Sequence, residues 1–366
     1  MYKLDKKPFI VFTVTNDLSY DQRMQRHART LVDAGFEVLL VGRVRKFSKP
    51  ILEDVFLQKR IKCFFEKGKF FYLEYNLRLF FFLLFCKASI YAAVDLDTLF
   101  PHLLVSILKQ KKMVFDAHEY FTEVPEVANR PFTRAVWHKL AKLAIPFTDL
   151  RYTVGPSLAK ELERIYHLPF YSIMNVPALV RTENKKKPEE KIILYQGALN
   201  EGRCLVQLIN AMKSIEAILW IAGEGDLSNE LRTLVNQNNL QNKVVFLGFI
   251  LPSELPKLTE MAYLGFNVLA PNGLSYQFSL ANKYFDYIHA SIPQLCSPFI
   301  EYETLNEVNE VALLSLWDEN SIAQNLNKLL TDKELYLRLQ NNCLKAAQEY
   351  NLQLESCKFV QLYQSI

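Results

Sequence analysis

Apolar runs of strand length alternate with amphipathic segments in the first forty residues. Residues 9–14 and 36–41 are rich in branched and aromatic side chains, and both have the length of a buried strand. Between them, Asp21 is placed to cap a helix that Gly35 ends. The pattern predicts a β-α-β unit, which is the start of a parallel sheet.

The same alternation continues further along the chain. Residues 90–94 and 112–115 have the pattern of strands around a helix, residues 98–108, that Asp97 caps, and the second strand ends in Asp116-Ala117-His118-Glu119. After residue 191, the pattern predicts strands at 192–195, 217–222, 244–247, 266–269 and 294–297, helices at 205–213, 227–237, 253–261 and 280–290, and a helical tail from Glu319. Two such series predict two α/β domains.

Residues 181–191 lose the apolar periodicity and are rich in lysine, which indicates a linker. We therefore expect an α/β protein with two Rossmann-like open parallel-sheet domains that face each other across a cleft. The N-terminal domain spans residues 1–180 and the C-terminal domain 192–345, and a final helix, 346–366, packs back towards the N-terminal domain. Ligands of such folds bind beyond the carboxyl ends of the strands.

Composition adds a division of charge between the halves. The 366 residues are 50% hydrophobic and 22% charged, which excludes disordered and collagen-like proteins. Residues 1–180 contain 27 Lys and Arg against 18 Asp and Glu, a net of +9, and residues 181–366 contain 16 against 21, a net of −5; the two give the total of +4. A basic half and an acidic half predict different partners.

Cysteines and apolar runs indicate the compartment. The six cysteines are scattered without a Cys-x-x-Cys pair, as expected for reduced thiols. The run 9–14 is shorter than the apolar region of a signal peptide, and the run 79–86 is shorter than the roughly 20 residues of a membrane span. We therefore expect a cytoplasmic protein without a transmembrane helix.

Two glycine turns in the second half have the features of phosphate-binding loops. Gly197 begins a strand-to-helix turn that contains Arg203, and backbone amides and a cation meet phosphate at such turns. Gly223 and Glu224 form a second turn, where a ligand can approach the backbone closely. Neither is a dinucleotide fingerprint or a P-loop. Each is equally explained as a plain connecting loop.

A third candidate for anion binding is the predicted helix after Ser279. That hydroxyl can cap the helix, whose first amides belong to Leu280 and Asn282, with Lys283 in the first turn. A lysine at this end is unfavourable unless an anion binds there. The arrangement suits a diphosphate, with Asp286 one turn later for ribose hydroxyls. A solvent-exposed amphipathic helix is the alternative.

Candidate chemistry in the first half lies at the predicted strand ends. Asp95-Leu96-Asp97 resembles a metal-binding Asp-x-Asp pair, but it offers only two carboxylates, and one of them suits the helix cap, so we predict no metal. His118 ends a strand in the predicted cleft and is the catalytic candidate; a structural histidine is the alternative.

Residues 43–87 are basic and aromatic. They contain 11 Lys and Arg against 4 acids. Cations mixed with aromatic and aliphatic side chains favour a peripheral contact with an anionic membrane over nucleic acid, because leucines enter lipid but stack poorly on bases. The alternative is a core helix whose inner face is formed by Leu77, Phe80, Phe81 and Leu84.

Taken in order, these elements resemble the retaining GT-B glycosyltransferases of family 4. In the first half, residues 20–24 are similar to the family's Asp-x-Arg-Val helix, 35–38 to its Gly-His-x-Val strand, 94–99 to its His-Asp-x-Asp-Thr element and 115–119 to its Asp-x-His-Glu element. In the second half, residues 195–203 resemble the Gly-Arg-Leu…Lys-Gly loop, 223–225 the Gly-x-Gly turn, 245–248 the Val-x-Phe-Leu-Gly strand and 282–287 the Asn-Lys-x-x-Glu-Tyr helix.

The resemblance implies a hexosyltransferase that moves a sugar from a UDP- or GDP-linked nucleotide sugar to a saccharide or lipid-linked acceptor, with retention and without a metal or other cofactor. It implies a role in surface polysaccharide or glycolipid synthesis. The implied donor diphosphate ligands are Gly197, Arg203, Ser279, Leu280, Asn282 and Lys283. The implied ribose and base ligands are Gly223, Glu224, Phe249, Ile250 and Asp286. His118 is implied to contact the donor sugar, and the acceptor side contains Asp21, Arg23, Asp95, Asp97 and Glu119.

The sequence departs from the family at two positions of the donor site. Ala198 stands where the family has the first loop arginine, and Phe278 stands at the first position of its Glu-x7-Glu pair. Two alternatives therefore stay open. One is a catalytically degenerate GT-B protein that binds glycan or serves as a partner subunit, and the other is a GT-B sugar-nucleotide epimerase, which needs paired carboxylates as acid and base.

Overall fold

The computed structural model describes residues 7–46, 48–179 and 190–366. The chain divides into two compact units, one formed by Met1–Met174 with Ser356–Ile366 and the other by Asn175–Glu355. The predicted linker, 181–191, lies almost entirely outside the described residues.

The described residues of the first unit form one seven-stranded parallel sheet in the order β3-β2-β1-β4-β5-β6-β7. Its strands are β1 (Phe9–Thr13), β2 (Glu37–Arg43), β3 (Leu57–Ile61), β4 (Ile90–Val94), β5 (Lys112–Ala117), β6 (Leu150–Thr153) and β7 (Tyr171–Ser172). Its helices are α1 (Gln22–Asp33), α2 (Gly68–Phe85), α3 (Leu96–Lys109), α4 (Pro125–Ala128), α5 (Pro131–Ala144) and α6 (Pro156–Tyr166).

The described residues of the second unit form a six-stranded parallel sheet in the order β10-β9-β8-β11-β12-β13. Its strands are β8 (Ile192–Gln196), β9 (Ile218–Ala222), β10 (Val244–Gly248), β11 (Leu264–Asn267), β12 (Gln294–Cys296) and β13 (Ala312–Leu314). Its helices are α7 (Leu205–Ala211), α8 (Ser228–Gln237), α9 (Leu255–Met261), α10 (Leu274–Gln277), α11 (Asn282–His289), α12 (Ile300–Val308), α13 (Glu319–Thr331) and α14 (Lys333–Glu349), and α15 (Leu352–Gln364) continues into the first unit. The predicted class of two parallel α/β sheets is confirmed.

Strand alternation divides the core of the first unit between the two faces of its sheet. Ile10 and Phe12 pack on one face with α1 and with Phe359 and Tyr363 of α15. Val11 packs on the opposite face with α2 and α3. Successive side chains of a strand point to opposite faces, so a continuous apolar run is what a sheet covered on both sides requires. The end of α15 is therefore part of the first unit's core.

Two helices begin at other residues than the sequence predicts. Because α3 starts at Leu96, Asp97 lies inside its first turn and does not cap it. Because α11 starts at Asn282, Ser279 does not cap that helix either; its hydroxyl donates to the backbone oxygen of Tyr276 at 2.8 Å. In both cases the polar side chain has another hydrogen-bond partner in place of the helix amides: Asp97 accepts from Thr15, and Ser279 donates to Tyr276.

The core-helix alternative for residues 43–87 gives a different inner face of α2 from the one that the structure buries. The structure buries Phe71, Tyr75, Leu79 and Leu83, whereas half or more of the Leu77 and Phe81 side chains is exposed. Because α2 is apolar around its whole circumference, the sequence pattern does not select one face, and packing on the sheet decides. In the part of the chain that the structure describes, no helix is long and apolar enough to cross a bilayer.

Candidate functional site

His118 lies at the carboxyl end of the first sheet, just after β5. Its Nε2 atom donates to Oδ2 of Asp116, 3.0 Å away. Arg23 of α1 donates to the other carboxylate oxygen at 3.4 Å and to the backbone oxygen of Ile173 at 3.0 Å. The Asp116 side chain is fully buried, whereas 18% of the His118 side chain is exposed. The carboxylate therefore holds the imidazole from inside and leaves part of the ring open.

These contacts fix the charges of the cluster. Burial alone lowers the pKa of His118, but the carboxylates of Asp116 and Asp95 outweigh burial and raise that pKa to about 9. Burial likewise opposes ionisation of Asp116, yet His118 and Arg23 hold the pKa of that carboxyl well below its ordinary value. Burial, together with Arg23, keeps the pKa of His27 well below its ordinary value. At neutral pH, a cationic His118 thus faces an ionised Asp116.

Asp95 joins the ends of two neighbouring strands. Its φ of 57° lies in the left-handed region, which costs a non-glycine residue about 1–2 kcal/mol. Its backbone NH donates to the backbone oxygen of Asp116 at 2.8 Å, and its carboxylate accepts from the backbone NH of His118 at 2.8 Å. Burial, with Glu119 and Asp97 nearby, raises the pKa of this carboxyl well above its ordinary value. Asp95 therefore positions the loop that carries His118.

The other predicted acids of the first unit have different environments. Asp97 is buried and accepts from the hydroxyl of Thr15 at 2.6 Å, and burial raises its pKa to about 7. Asp21 caps α1 by accepting from the backbone NH of Met24 at 3.1 Å, as predicted. Glu119 is exposed. Within the described ranges, no three His, Cys, Asp or Glu side chains are grouped to hold a metal.

In the second unit, two glycine turns touch at the carboxyl ends of β8 and β9. The backbone NH of Gly197 donates to the oxygen of Ala222 at 2.9 Å, and that of Gly223 to the oxygen of Gly248 at 2.8 Å. A Cβ atom on Gly223, whose φ is 147°, would lie 1.9 Å from the backbone oxygen of Gly197. Only glycine fits there, and the two turns form a bare backbone surface.

Two cations that no described carboxylate neutralises lie near the end of β8. Lys283 is buried, with its Nζ atom 4.0 Å from the ring centre of Tyr195. The Arg203 guanidinium is 5.3 Å from the ring centre of Tyr276, and its buried Nε has no hydrogen-bond partner among the described residues. Burial and repulsion by Arg203 hold the pKa of Lys283 well below its ordinary value.

No carboxylate in the described parts of the chain forms an ion pair with Lys283 or Arg203. Unpaired charges in a partly buried site cost free energy, which a bound anion relieves. Since the two cations repel each other, an anion with more than one negative charge fits best.

The amino end of α11 adds backbone donors to this site. The helix has no side-chain cap, and Lys283 lies in its first turn. The side-chain oxygen of Asn282 accepts from Asn175 at 2.7 Å. Ser279 and Leu280 precede the helix on the same segment. The first-turn amides of a helix favour anions, so the Lys283 side chain and the helix end act in the same direction.

Asp286 lies one turn further along α11 and is oriented by Gln196. The Gln196 amide donates to Asp286 Oδ2 at 2.7 Å, and its oxygen accepts from the Thr259 hydroxyl at 2.8 Å. This chain of hydrogen bonds fixes the direction of the carboxylate. Asp286 is partly exposed, so the carboxylate is accessible to a ligand.

The remaining predicted residues lie at the ends of β9 and β10. Glu224 pairs with Arg232 at 2.9 Å, and a Cβ atom on Gly248 would lie 3.7 Å from the Glu224 carboxylate. Phe249 is 61% exposed, and Ile250 packs partly against the core. The structure therefore brings the Gly223 turn together with the loop after β10.

Sequence reasoning missed three residues of these clusters. The sequence pattern places Asp116 at a strand end without indicating its pairing with His118, although an acid inside an apolar strand is the signal of a buried partner. Tyr195 and Gln196 end a predicted strand, but their contacts with Lys283 and Asp286 join positions almost ninety residues apart in sequence. Nothing local in the sequence indicates those two contacts.

Comparison with known proteins gives one family match and one curated relative. Residues 179–265 match the model of the family described as glycosyl transferases group 1. The uncharacterized glycosyltransferase MJ1607 of Methanocaldococcus jannaschii is 41% identical over 78 residues, which are 20% of this chain and 20% of that protein. The aligned region thus spans about a fifth of the relative's length.

Solved structures resemble nearly the whole chain. Sucrose-phosphate synthase from Thermosynechococcus elongatus has a TM-score of 0.80 and 18% identity, covering 98% of this chain and 99% of that chain. Anabaena Alr3699/HepE, in complex with UDP and glucose, has a TM-score of 0.78 and 15% identity, covering 98% of this chain and 100% of that chain. At such identities the likeness concerns the fold. Residues 179–265 therefore match the model of the glycosyl transferases group 1 family, in line with the resemblance, and the described chain has a GT-B-like fold.

Proposed function

We propose that the protein is a retaining glycosyltransferase that moves a sugar from a nucleotide diphosphate sugar to a saccharide or lipid-linked acceptor, in surface polysaccharide or glycolipid synthesis. The observation that carries the proposal is the pair Lys283 and Arg203, which no described carboxylate neutralises. The family match of residues 179–265 supports it, as does the neighbour solved with UDP and glucose. The donor is UDP- or GDP-linked.

We assign donor binding to residues 192–345. During transfer, negative charge grows on the leaving diphosphate, where Lys283, Arg203 and the first amides of α11 stabilise it. Each such preorganised group lowers the barrier by about 3 kcal/mol. Because these groups supply the neutralising charge, the reaction needs no metal.

The transfer breaks the bond between the sugar's anomeric carbon and the diphosphate oxygen, through an oxocarbenium-like state. The acceptor oxygen attacks from the same face, and its proton passes to the leaving diphosphate. Cationic His118 donates a hydrogen bond to the donor sugar. Asp286, oriented by Gln196, accepts from a ribose hydroxyl, and the edge formed by Gly248, Phe249 and Ile250 takes the base.

We assign acceptor binding to residues 1–180. Glu119 is exposed and is our candidate for direct contact with the acceptor. The buried Asp95 and Arg23 act by positioning His118 and Asp116. The protein works in the cytoplasm, at the inner face of the membrane.

Two alternative functions each have a supporting observation. Ala198 and Phe278 replace donor-site residues of the family, which favours a catalytically degenerate protein that binds glycan or a partner subunit. Burial raises the pKa of Asp95 and of Asp97, with a further contribution from Glu119 to both, and such a group of carboxyls at the ends of β4 and β5 favours a sugar-nucleotide epimerase. Incubation of each nucleotide sugar without an acceptor tests the second alternative. An epimerase, unlike a glycosyltransferase, converts the sugar of the nucleotide sugar to a different configuration, which NMR detects.

The test of the main proposal combines binding and turnover. Calorimetry with UDP, GDP and ADP identifies the base, and hydrolysis or transfer is then measured for wild type, Lys283→Ala and Arg203→Ala. We expect each variant to lose at least about a hundredfold in turnover. The control is Lys257→Ala, which removes an exposed lysine of the same unit.

Wild-type turnover in both variants contradicts the diphosphate assignment. Absence of any nucleotide diphosphate binding instead favours the non-catalytic alternative.

A further inference from the structure

The outer surface of α2 is apolar where a helix on a sheet is normally polar. Phe71, Tyr75 and Leu79 already face the sheet, yet Leu77 is 56% exposed and Phe81 50% exposed. A helix that is apolar on all sides is typical of a buried or lipid-facing position. The inner side of α2 is buried by the sheet, and among the described residues no element covers Leu77 or Phe81 on its outer side.

Two neighbouring helices expose apolar side chains in the same way. Helix α2 packs on α3 and α3 on α5, and the rings of Tyr72 and Trp137 join α2 to α5 in a T-shaped contact of 5.8 Å. We call the outer sides of these helices the three-helix face. Its apolar members, each at least half exposed, include Leu77, Phe81, Ile107, Leu108, Phe132 and Leu143. Exposed apolar groups on adjoining helices indicate an interaction site.

The charges of these helices are almost all positive. Together α2, α3 and α5 contain six Lys and Arg against two acids. One acid, Asp97, is buried. The other, Glu74, is neutralised locally, because it accepts from the backbone amides of Phe64 and Phe65 and pairs with Arg78 at 2.8 Å. The outward charge of the face is therefore cationic, with Lys139 and Lys142 exposed on α5.

We propose that the three-helix face docks on a bilayer that contains anionic phospholipid. Leucine and phenylalanine side chains enter the boundary between headgroups and acyl chains, and the lysines contact lipid phosphates. Charge complementarity selects this partner over a second copy of the chain, because two cationic faces repel each other. The proposal names the surface responsible for the membrane location given in the proposed function, but its test does not require transfer activity; if both hold, the acceptor is met at the membrane.

Vesicle co-sedimentation of the full chain tests the proposal, without nucleotide sugar or acceptor. We expect wild type to bind vesicles of phosphatidylcholine with phosphatidylglycerol, to bind phosphatidylcholine alone much more weakly, and to be released by salt. Leu77→Ser with Phe81→Ser should weaken binding at least about tenfold, because two apolar side chains leave the lipid. Lys139→Glu with Lys142→Glu should weaken binding to the anionic vesicles at least about tenfold.

Matched controls change equally exposed residues of the second unit. Leu337→Ser with Leu344→Ser, and Lys333→Glu with Lys345→Glu, should bind vesicles as wild type does. Thermal unfolding and nucleotide diphosphate binding verify that each variant is folded.

Three results overturn the proposal. They are no binding of wild type to anionic vesicles, unchanged binding of the Leu77 and Phe81 double variant, or sedimentation that shows a wild-type dimer which this double variant dissociates. None of these three measurements depends on transfer activity. Failure of the proposed function can therefore be distinguished from failure of the membrane-docking proposal.

Discussion

The imidazole of His118 donates from Nε2 to Asp116 Oδ2 over 3.0 Å, and this contact makes the charge of the proposed catalytic residue depend on a buried carboxylate. The pKa of His118, lowered by burial but raised more by Asp116 and Asp95, is about 9 against an ordinary value of 6.5. A raised pKa means that the folded protein binds the proton of His118 more tightly than the unfolded chain does. The resulting stability is complete below about pH 6.5 and is lost as pH rises through about 9.

Asp116→Asn should therefore move the His118 titration down towards its ordinary range and remove this pH dependence of the free energy of unfolding. NMR titration of the imidazole and unfolding at several pH values measure both effects. The control Glu161→Gln removes an exposed ion pair with Arg164 and should leave His118 unchanged. A His118 pKa that stays near 9 in Asp116→Asn contradicts the assigned pairing.

Lys283→Met should separate a ligand site from a structural lysine. Because the buried cation has no described carboxylate partner, its removal should leave the free energy of unfolding of the ligand-free protein unchanged or raise it. Nucleotide diphosphate affinity should fall at least about tenfold. Denaturant unfolding and calorimetry measure the two quantities.

Lys191→Met is the matched control for Lys283→Met. Lys191 also lies over a tyrosine ring, that of Tyr263, but it donates to the backbone oxygen of Leu330. We expect its removal to leave affinity unchanged and stability slightly lower. If Lys283→Met destabilises the ligand-free protein and still binds nucleotide normally, the lysine is structural.

Binding of a nucleotide diphosphate should take up protons. Burial, followed by Arg203, depresses the pKa of Lys283, and a bound anion reverses that shift, so the lysine takes up a proton on binding at any pH between the pKa of the free protein and that of the complex. Calorimetry in buffers of different ionisation enthalpy measures the uptake, at a pH well above the second phosphate ionisation near about 6. Lys283→Met should abolish it. Equal uptake in the variant assigns the proton to another group.

Gly223→Ala should disrupt the donor site. Its Cβ atom would lie 1.9 Å from the backbone oxygen of Gly197, and neither backbone can move without breaking the turns. We expect a loss of at least about 3 kcal/mol in stability, together with loss of nucleotide binding. The comparison is Gly35→Ala, where φ is also positive but no atom lies within 4 Å, so strain alone costs about 1–2 kcal/mol. Equal losses in both variants contradict the contact.

Asp97→Asn should change how stability depends on pH. Burial raises the pKa of Asp97 to about 7 from 3.8, so the unfolded chain ionises first and stability falls as pH rises between these values. The asparagine retains an acceptor for Thr15 and should remove a penalty of up to about 4 kcal/mol above pH 7. Asp54→Asn is the control of opposite sign, because its hydrogen bond with Arg29 lowers the pKa of Asp54. A pH profile of Asp97→Asn identical to that of wild type contradicts the assignment.

The predicted strands agree closely with the structure where a long apolar run marks them, and this includes the edge strand β10. The runs in β1, β4, β5 and β8 are long and apolar because both faces of those strands are covered. The pattern does not predict β3, β6, β7 or β13, and of these only β6 lies inside a sheet, with four residues that include Arg151. The sequence of β3, Leu57–Ile61, is largely polar, and β7 has only two residues, so neither carries a periodic signal.

The amino-acid pattern alone predicts the two parallel α/β sheets, the likeness of residues 179–265 to the glycosyl transferases group 1 family, and the residue types at the ends of the strands. Local patterns carry this information, since apolar periodicity, glycine turns and helix caps depend on residues a few positions apart. Only the tertiary structure decided that Asp116 sets the charge of His118, that Tyr195 lies under Lys283, and that the outer side of α2 stays exposed. Each of these depends on contacts between distant segments. The net charge of half the chain does not reveal the charge of a single group such as His118, because burial and the nearest ions decide the pKa of that group.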